Sequence, residues 1–291
     1  MMAFLTSILN EVRISATPIF FYAVILILVL ERLFPVNPNQ KIFNVSFAQD
    51  FFWFFLDCAA QAVLIVSYVA ILRGFYRKHL SFLTVSWIGE LPGWARFFWA
   101  VLVIDFLKWY QHVLHHKIPW LWQFHKIHHS QQSLNLFTDS RYHFVEYLVK
   151  QSVVVIPMMI LTVNTPLVIA YKVLIIWHSR FYHANVKTNL GFLRYFISNP
   201  QSHRIHHSKE SRHYDKNFGA LFVLWDMIFG TQCWSFDEYP ETGLKREEMP
   251  EESSLRGMKL LFMPLIQLVT PFQMILQGFM PKQNIPEAQE L

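Results

Sequence analysis

The amino-acid sequence predicts an all-α, polytopic integral membrane protein with about four to six membrane-embedded helices. Hydrophobic residues make up 53% of its 291 residues and charged residues only 15%, whereas about a quarter of a soluble globular protein is charged. Several apolar runs approach the roughly 20 residues that a membrane-spanning helix needs. The net charge of +5 is typical of basic loops that face the cytoplasm or anionic headgroups, so we predict no nucleic-acid partner.

The apolar runs predict the helices in chain order. The run 18–33 is the first, and two prolines close beyond it end a helix there. The further runs that predict helices are 51–72, 94–110, 145–163 and 167–181. The segment 80–88 is too short to span a bilayer and is expected in the interface. The run 257–279 contains two prolines and predicts an embedded or surface-lying helix pair.

The runs 145–163 and 167–181 predict a helical hairpin, because the intervening Asn-Thr-Pro at 164–166 favours a turn. A hairpin of this length enters and leaves a membrane on the same side. It would therefore return His178 and His183 to the face that holds His143 and the histidines before it. This is a physical reason for residues distant in sequence to meet.

Thirteen of the fourteen histidines lie between His112 and His213, mostly in three clusters with the spacing HxxHH. The clusters are His112, His115 and His116; His125, His128 and His129; and His203, His206 and His207. Residues at i and i+4 of a helix share a face, and histidine is the commonest metal ligand. Leaving out His115, the clusters supply eight histidines, more than one zinc ion uses. We therefore predict two metals, with His178 or His183 adding a ligand.

Imidazole ligation alone leaves the metal open, since it suits iron, zinc, copper and nickel. A di-iron centre can reduce O₂ and attack the unactivated C–H bonds that lipids offer. A di-zinc centre would activate water for hydrolysis, although no cluster contains the glutamate base such an enzyme needs. A metal transporter or binding protein is a further alternative, but transporters hold ligands near mid-membrane, whereas these clusters follow helix ends. A haem protein with two imidazole ligands is the third alternative to the di-iron enzyme.

Carboxylates near the clusters are candidates for function. Asp105 precedes His112 by seven residues on roughly the same helical face, and intramembrane carboxylates are often functional. We predict catalytic roles for Asp105 and Asp215, for example by accepting a hydrogen bond from a ligand histidine; a helix-packing hydrogen bond is an equal alternative for Asp105. Glu146 is a candidate for the same two roles, and His143 is a weaker candidate for a metal ligand. We expect His213 to be an ordinary surface residue.

Residues 105–130, DFLKWYQHVLHHKIPWLWQFHKIHHS, resemble the sterol desaturase and fatty acid hydroxylase superfamily. Further matching blocks lie at 140–146, 181–186, 199–208, 215–219 and 224–231. The order and spacing of these blocks are more specific than any single histidine box, and together they span slightly under half the chain. Val113 and Phe144 depart from the common pattern of Arg and Pro at these positions, but neither departure removes a ligand.

The resemblance implies a membrane-bound, non-haem di-iron oxidoreductase. It would use O₂ to hydroxylate or desaturate a lipid of sterol, fatty acyl or alkylglycerol type. Ten histidines are implied as metal ligands: His112, His116, His125, His128, His129, His178, His183, His203, His206 and His207. The sequence shows no nucleotide- or haem-binding motif, so we predict a separate electron donor, such as a cytochrome b5-like protein or a ferredoxin with its reductase. Basic loops around Lys187, Arg194, Lys209 and Arg212 are expected to dock this donor.

No linker-like segment divides the chain, but we expect three regions. These are N-terminal transmembrane helices over 1–92, a fatty acid hydroxylase-like catalytic region over 93–235 and a membrane-associated tail over 236–291. Basic residues around the histidines favour an active site on the cytosolic face of a bacterial inner membrane or the endoplasmic reticulum. Arg73, Arg77 and Lys78 also favour the inside, so the orientation and the exact number of spans stay open.

Overall fold

The computed structural model describes residues 18–60, 64, 66–162, 165–245, 248–249, 257–276 and 278. These residues form α-helices and short 3-10 turns, and no strand occurs among them apart from isolated β-bridges such as that between Ile197 and Phe222. The all-α prediction is confirmed for this part of the chain. The division into three regions stays a prediction, and its outer ends, 1–17 and 279–291, lie outside the described residues.

The α-helices of the described ranges follow the apolar runs closely. They are α1 Pro18–Leu33, α2 Val45–Ala60, α3 Val66–His79, α4 Trp87–Glu90, α5 Gly93–Lys117, α6 Pro119–His129, α7 Phe144–Ile160, α8 Thr165–His183, α9 Pro200–His206, α10 Leu224–Ile228, α11 Met263–Gln267 and α12 Thr270–Leu276. Short 3-10 helices lie at Ser81–Leu83, Thr138–Ser140, Gly191–Tyr195, Ser211–His213 and Gly257–Phe262. The run 51–72 thus contributes to two described helices, α2 and α3.

The sequence predicts several membrane-embedded helices, and the lengths of the described helices differ from this expectation. Among the described residues, no single helix has both the length and the apolar composition required to cross a bilayer. The bent pair Lys259–Gln267 and Thr270–Leu276 meets the requirement jointly, with a bend of 51° between its two parts. The predicted number of spans stays a prediction.

Helix α5 is the centre of the helical packing and contacts α6, α7 and α8. Ala100, Val101 and Ile104 recur at helical spacing on one face of α5 and are buried against Met158 of α7 and Tyr171 of α8. Burial of such side chains contributes roughly 1.5–3 kcal/mol each. This core aligns the C-terminal ends of α5 and α8 with the N-terminal end of α7, which is the end of the molecule that carries the histidines.

A second apolar core surrounds the segment that follows α8. Ile27 of α1 packs there with Leu136 and Phe137, and with Ala184 and Val186 just after α8. The chain leaving α8 is thereby held against α1, and the backbone bridge between Pro35 and Val186 lies beside it. The end of α8, which carries His183, is consequently fixed from two sides.

Candidate metal centre

Nine histidine side chains converge in two groups at the ends of α5, α6, α8 and α9. The five-histidine group consists of His112, His116, His125, His129 and His206. The four-histidine group consists of His128, His183, His203 and His207. Within each group, one nitrogen atom from every ring lies within 4.8 Å of the others. The structure therefore brings together nine of the ten histidines that were expected to bind metal.

Helical spacing explains how the second and third HxxHH motifs each contribute to both groups, whereas His112 and His116 of the first motif share the five-histidine group. At about 100° per residue, positions i and i+4 differ by roughly 40°, and position i+3 lies about 60° to the other side. In α6, His125 and His129 accordingly join the five-histidine group and His128 the four-histidine group. At the end of α9 the sharing is reversed, with His203 and His207 in the four-histidine group and His206 in the five-histidine group.

The Nδ1 atoms of several ring members are bonded to oxygen acceptors. Three donate to backbone carbonyls: His112 to Phe218 (3.0 Å), His206 to Lys216 (2.7 Å) and His183 to Ser179 (2.8 Å). His125 Nδ1 donates to the carboxylate Oε1 of Glu146 at 2.9 Å. Because these oxygens only accept, the proton of each neutral ring lies on Nδ1, and Nε2 presents a lone pair.

Two of these lone pairs face each other inside the five-histidine group, where His112 Nε2 lies 3.1 Å from His125 Nε2. In the four-histidine group, His183 Nε2 lies 2.8 Å from His203 Nε2. Neither His112 nor His125 has an Nε2 proton to share, so their contact requires a cation. Two nitrogens bound about 2.1 Å from one ion at a right angle would be about 3.0 Å apart, so the donor set and its spacing fit a metal ion.

A proton does not replace that cation at neutral pH. Burial, reinforced by the neighbouring histidines, holds the pKa of His112 and His125 well below the usual value near 6.5. The same two causes, in the same order, lower the pKa of His128 and His207. Neutral imidazole is the form that ligates metals, so the fold keeps these rings ready to bind.

Two carboxylates hold ligand rings in place. Glu146 is fully buried and accepts from His125, while Lys150 Nζ lies 3.0 Å from the same carboxylate oxygen. Asp215 lies 3.6 Å from His116 Nδ1 and 2.6 Å from Lys117 Nζ. Burial would raise the pKa of Asp215, but the hydrogen bonds from His116 and Lys117 outweigh it and lower this pKa to about 2. Both carboxylates therefore orient ligand rings through their Nδ1 atoms.

A buried ion pair that the sequence reasoning missed fixes the end of α6. Arg141 Nη1 lies 3.0 Å from Asp50 Oδ1, and both side chains are fully or almost fully buried. Arg141 also donates through Nε to the carbonyl of Ile127 (2.9 Å) and through Nη2 to Ser130 Oγ (3.0 Å). It thus satisfies a carbonyl of the last helical turn, beside His128. The sequence feature that could have revealed this ion pair was Asp50, a charged residue directly before the apolar run 51–72.

Asp105 differs from the expectation of a catalytic role. Its carboxylate accepts hydrogen bonds from Tyr171 Oη, the backbone N–H of Leu221 and Phe222, and Trp225 Nε1, at 2.9–3.2 Å. No histidine is among these partners. The carboxylate links α5 to α8 and to the segment before α10. This is the role of a helix-packing hydrogen bond, the alternative that the sequence left open. The predicted catalytic role of Asp105 is not supported by this geometry.

Asp226 is, like Asp105, a buried carboxylate that accepts several hydrogen bonds, and it was not predicted from the sequence. It accepts from Trp109 Nε1 and from the backbone N–H of Phe218 and Gly219. This holds the Phe218 carbonyl toward His112. Gly219 is required there, because a Cβ at this position would lie 2.6 Å from the carbonyl oxygen of Phe222.

The remaining histidines lie outside the two groups. His178, an expected ligand, hydrogen-bonds the backbone of Ser198 instead; five residues separate it from His183, a rotation of about 140° on a helix. His143 accepts from the Val145 N–H and caps α7. His213 is buried rather than on the surface, with Nδ1 3.0 Å from an oxygen of Ser208. His115 is also buried, and its Nδ1 contacts the carbonyl of Gln111.

A cavity of about 300 Å³ adjoins both groups, a volume at the lower end of the range of small-ligand pockets. Its wall includes His112 and His125 from the five-histidine group, and His128 and His203 from the four-histidine group. Apolar side chains such as Met158 form much of the rest. A molecule in this cavity would lie against both candidate metal positions.

The part of the chain that carries the two histidine groups matches known proteins. Residues 97–231 match the family described as fatty acid hydroxylase. The ornithine lipid hydroxylase OlsE of Rhizobium tropici is 30% identical over 152 residues, which cover 52% of this chain and 46% of that protein. The alkylglycerol monooxygenase of Xenopus tropicalis is 25% identical over 225 residues, covering 75% and 46%. The cholesterol 25-hydroxylase-like protein of Danio rerio is 28% identical over 158 residues, covering 53% and 63%.

The chain spans about half the length of the ornithine lipid hydroxylase and of the alkylglycerol monooxygenases of Xenopus tropicalis and Danio rerio. No solved structure matches it. The matched region contains all nine histidines of the two groups, together with Glu146 and Asp215 that orient them. The resemblance to the sterol desaturase and fatty acid hydroxylase superfamily is confirmed: residues 97–231 of this chain match the fatty acid hydroxylase family.

Proposed function

We propose that this protein is an O₂-dependent lipid hydroxylase with a non-haem di-iron centre. The observation that carries the proposal is the contact of His112 Nε2 with His125 Nε2 at 3.1 Å, in which neither nitrogen has a proton to donate. The five-histidine and four-histidine groups would each hold one iron. Bound iron would supply the oxidation of an unactivated C–H bond by O₂.

The protein's own residues would orient the ligands and the substrate. Glu146 and Asp215 hold His125 and His116 through their Nδ1 atoms, so the Nε2 lone pairs stay directed into the five-histidine group. The apolar cavity would exclude water and position one carbon of the lipid. Positioning decides between an alcohol and an alkene, because small displacements cost large factors in rate. The names of the relatives, all hydroxylases or monooxygenases, favour the alcohol.

We also propose that the protein acts at a membrane, with the metal centre on the cytosolic side. Large apolar side chains are exposed on several helices, including Tyr22 of α1 (71%) and Trp94 of α5 (70%). Soluble monomers rarely expose large contiguous apolar patches. A bilayer would cover these faces and would also deliver the lipid substrate.

A separate electron donor is part of the proposal. Of the basic residues expected to dock it, Arg212 is already paired with Glu210 and Glu238 at 2.7 Å. Docking of an acidic donor would therefore depend more on Lys187 and Arg194. Reversing these two charges should lower turnover and its salt dependence; unchanged values would exclude this surface.

Metal analysis of the purified protein tests the proposal. We expect two irons per chain in the wild type and fewer than one in a His128→Ala/His206→Ala variant, which removes one ring from each group. His178→Ala is the matched control, because it removes a buried histidine outside both groups and should retain two irons. Lipid analysis of cells with and without the protein should then show a hydroxylated lipid. Two zinc ions per chain would favour the hydrolase alternative, and no bound metal would refute both.

A further inference from the structure

A buried guanidinium lies in the wall of the cavity. Arg180 is on α8, three residues before His183, and its side chain is only 7% exposed. The guanidinium carbon lies 5.1–5.3 Å from the ring centroids of Phe20, Phe54 and Trp177. These rings stabilise its faces through cation–π interactions. They offer no acceptor for the N–H groups, which point along the plane of the guanidinium.

The hydrogen-bonding capacity of Arg180 is largely unused. Its nearest carboxylate oxygen, Asp139 Oδ2, lies 3.8 Å from Nε, which is too long for a hydrogen bond. The other oxygen of Asp139 accepts from Ser179 Oγ instead. Nε and Nη1 of Arg180 are buried and donate no hydrogen bond. Buried charges are normally both paired and hydrogen-bonded; Asp139 compensates the charge of the guanidinium, but Nε and Nη1 are left without an acceptor.

The other charges of the cavity wall already have partners. Lys150 Nζ is bound by Glu146 at 3.0 Å and lies 3.2 Å from the ring centroid of Tyr142. Asp57 accepts a hydrogen bond from Tyr147, and Lys108 also has an interaction of its own. Among the described residues of the wall, Arg180 is therefore the cation with buried N–H groups, at Nε and Nη1, that lack an acceptor.

We propose that the cavity takes a lipid with an anionic group, a carboxylate or a phosphate, and that Arg180 binds this group. A guanidinium matches both anions in a bidentate geometry. The aromatic rings around Arg180 would pack on the carbons next to the acidic group. A neutral sterol or alkylglycerol has no anionic group to accept from Nε and Nη1 of Arg180 and is disfavoured.

The position of Arg180 also predicts where such a lipid is oxidised, a step that rests on the proposed function. Residues three apart on a helix have Cβ atoms about 5–6 Å apart, so Arg180 lies within one turn of His183. The acidic group would be bound close to the four-histidine group. The oxidised carbon is then one near the acidic end of the lipid, not one at the far end of its chain.

Binding of cis-parinaric acid and of its methyl ester tests the proposal, because the two fluorescent probes differ only in the anionic group. The iron-loaded protein in detergent is titrated with each probe, with protein-free micelles as blanks, and energy transfer from tryptophan reports binding. We expect the wild type to bind the acid at least 10-fold more tightly than the ester, equivalent to 1.4 kcal/mol. Arg180→Gln should reduce this difference to below 2-fold and leave ester binding unchanged. Arg77→Gln, which removes an exposed guanidinium of α3 outside the cavity, should retain it.

Equal binding of acid and ester by the wild type would overturn the proposal, even if no Arg180 variant folds. So would an Arg180→Gln variant that weakens both probes equally while retaining its iron, because a merely structural role has that effect. Displacement of the acid by dodecyl phosphate, but not by dodecanol, would assign phosphate heads as well; displacement by neither would assign carboxylates alone. Selective binding without O₂-dependent oxidation would refute the proposed function and leave the binding site established.

Discussion

Replacing Asp105 with asparagine separates a structural role from a catalytic one. The carboxylate is fully buried and accepts four hydrogen bonds, two on each oxygen. In asparagine one oxygen becomes an NH₂ group, which cannot accept and would face two donors, the N–H groups of Phe222 and Trp225. Each buried donor left without an acceptor costs about 1–3 kcal/mol. The substitution should therefore destabilise the protein by about 2–6 kcal/mol.

The assay is thermal unfolding of the iron-loaded protein in detergent, followed by iron content and turnover of the folded fraction. At about 2–4 °C per kcal/mol for a chain of this order of size, the midpoint should fall by at least about 4 °C. Below the transition, iron content should stay at the wild-type value, because no histidine contacts Asp105. Asp215→Asn, at a partly exposed carboxylate, is the control and should shift the midpoint less. An unchanged midpoint with lost turnover per bound iron would refute this reasoning and restore a catalytic role.

Three further predictions concern the histidine groups. Glu146→Gln should weaken metal binding about 10- to 100-fold, because His125 Nδ1 loses the carboxylate that orients its ring; unchanged iron loss to a competing chelator would contradict this. His183→Ala should lose about one iron per chain while His178→Ala loses none, as measured by elemental analysis, and equal losses would place His178 in the centre. The metal-free protein should become less stable as pH falls below about 6.5. Seven group members have pKa values well below the usual 6.5 when folded, so the unfolded chain binds more protons there. Melting curves that do not change between pH 8 and pH 5 would oppose that assignment.

The helices were predictable because apolar runs report directly on local structure. The run 18–33 coincides with α1, and the runs 145–163 and 167–181 correspond closely to α7 and α8. The hairpin argument correctly returned His183 to the other histidines. It failed for His178, because a hairpin fixes the end of a helix but not the direction in which each side chain points.

The partners of buried carboxylates were not predictable in the same way. Asp105 looked like a functional group because a charge in an apolar run is costly without a partner. Its partners Leu221 and Trp225 lie 116 and 120 residues further along the chain. Asp50 and Arg141 are 91 residues apart. Such pairings depend on which helices pack together, and no local periodicity reports that.

The helical class and the resemblance to a known family could be predicted from the order of the amino acids. The imidazole donor set could be predicted as well, because the HxxHH spacing on a helix forces imidazoles onto shared faces. The division of the rings into five and four, the carboxylates that orient them and the position of Arg180 in the wall of the same cavity became visible only in the folded protein. Spacing within one helix fixes relative angles through the backbone geometry. The meeting of side chains from different helices is fixed by the packing of apolar cores, and that packing exists only in the folded chain.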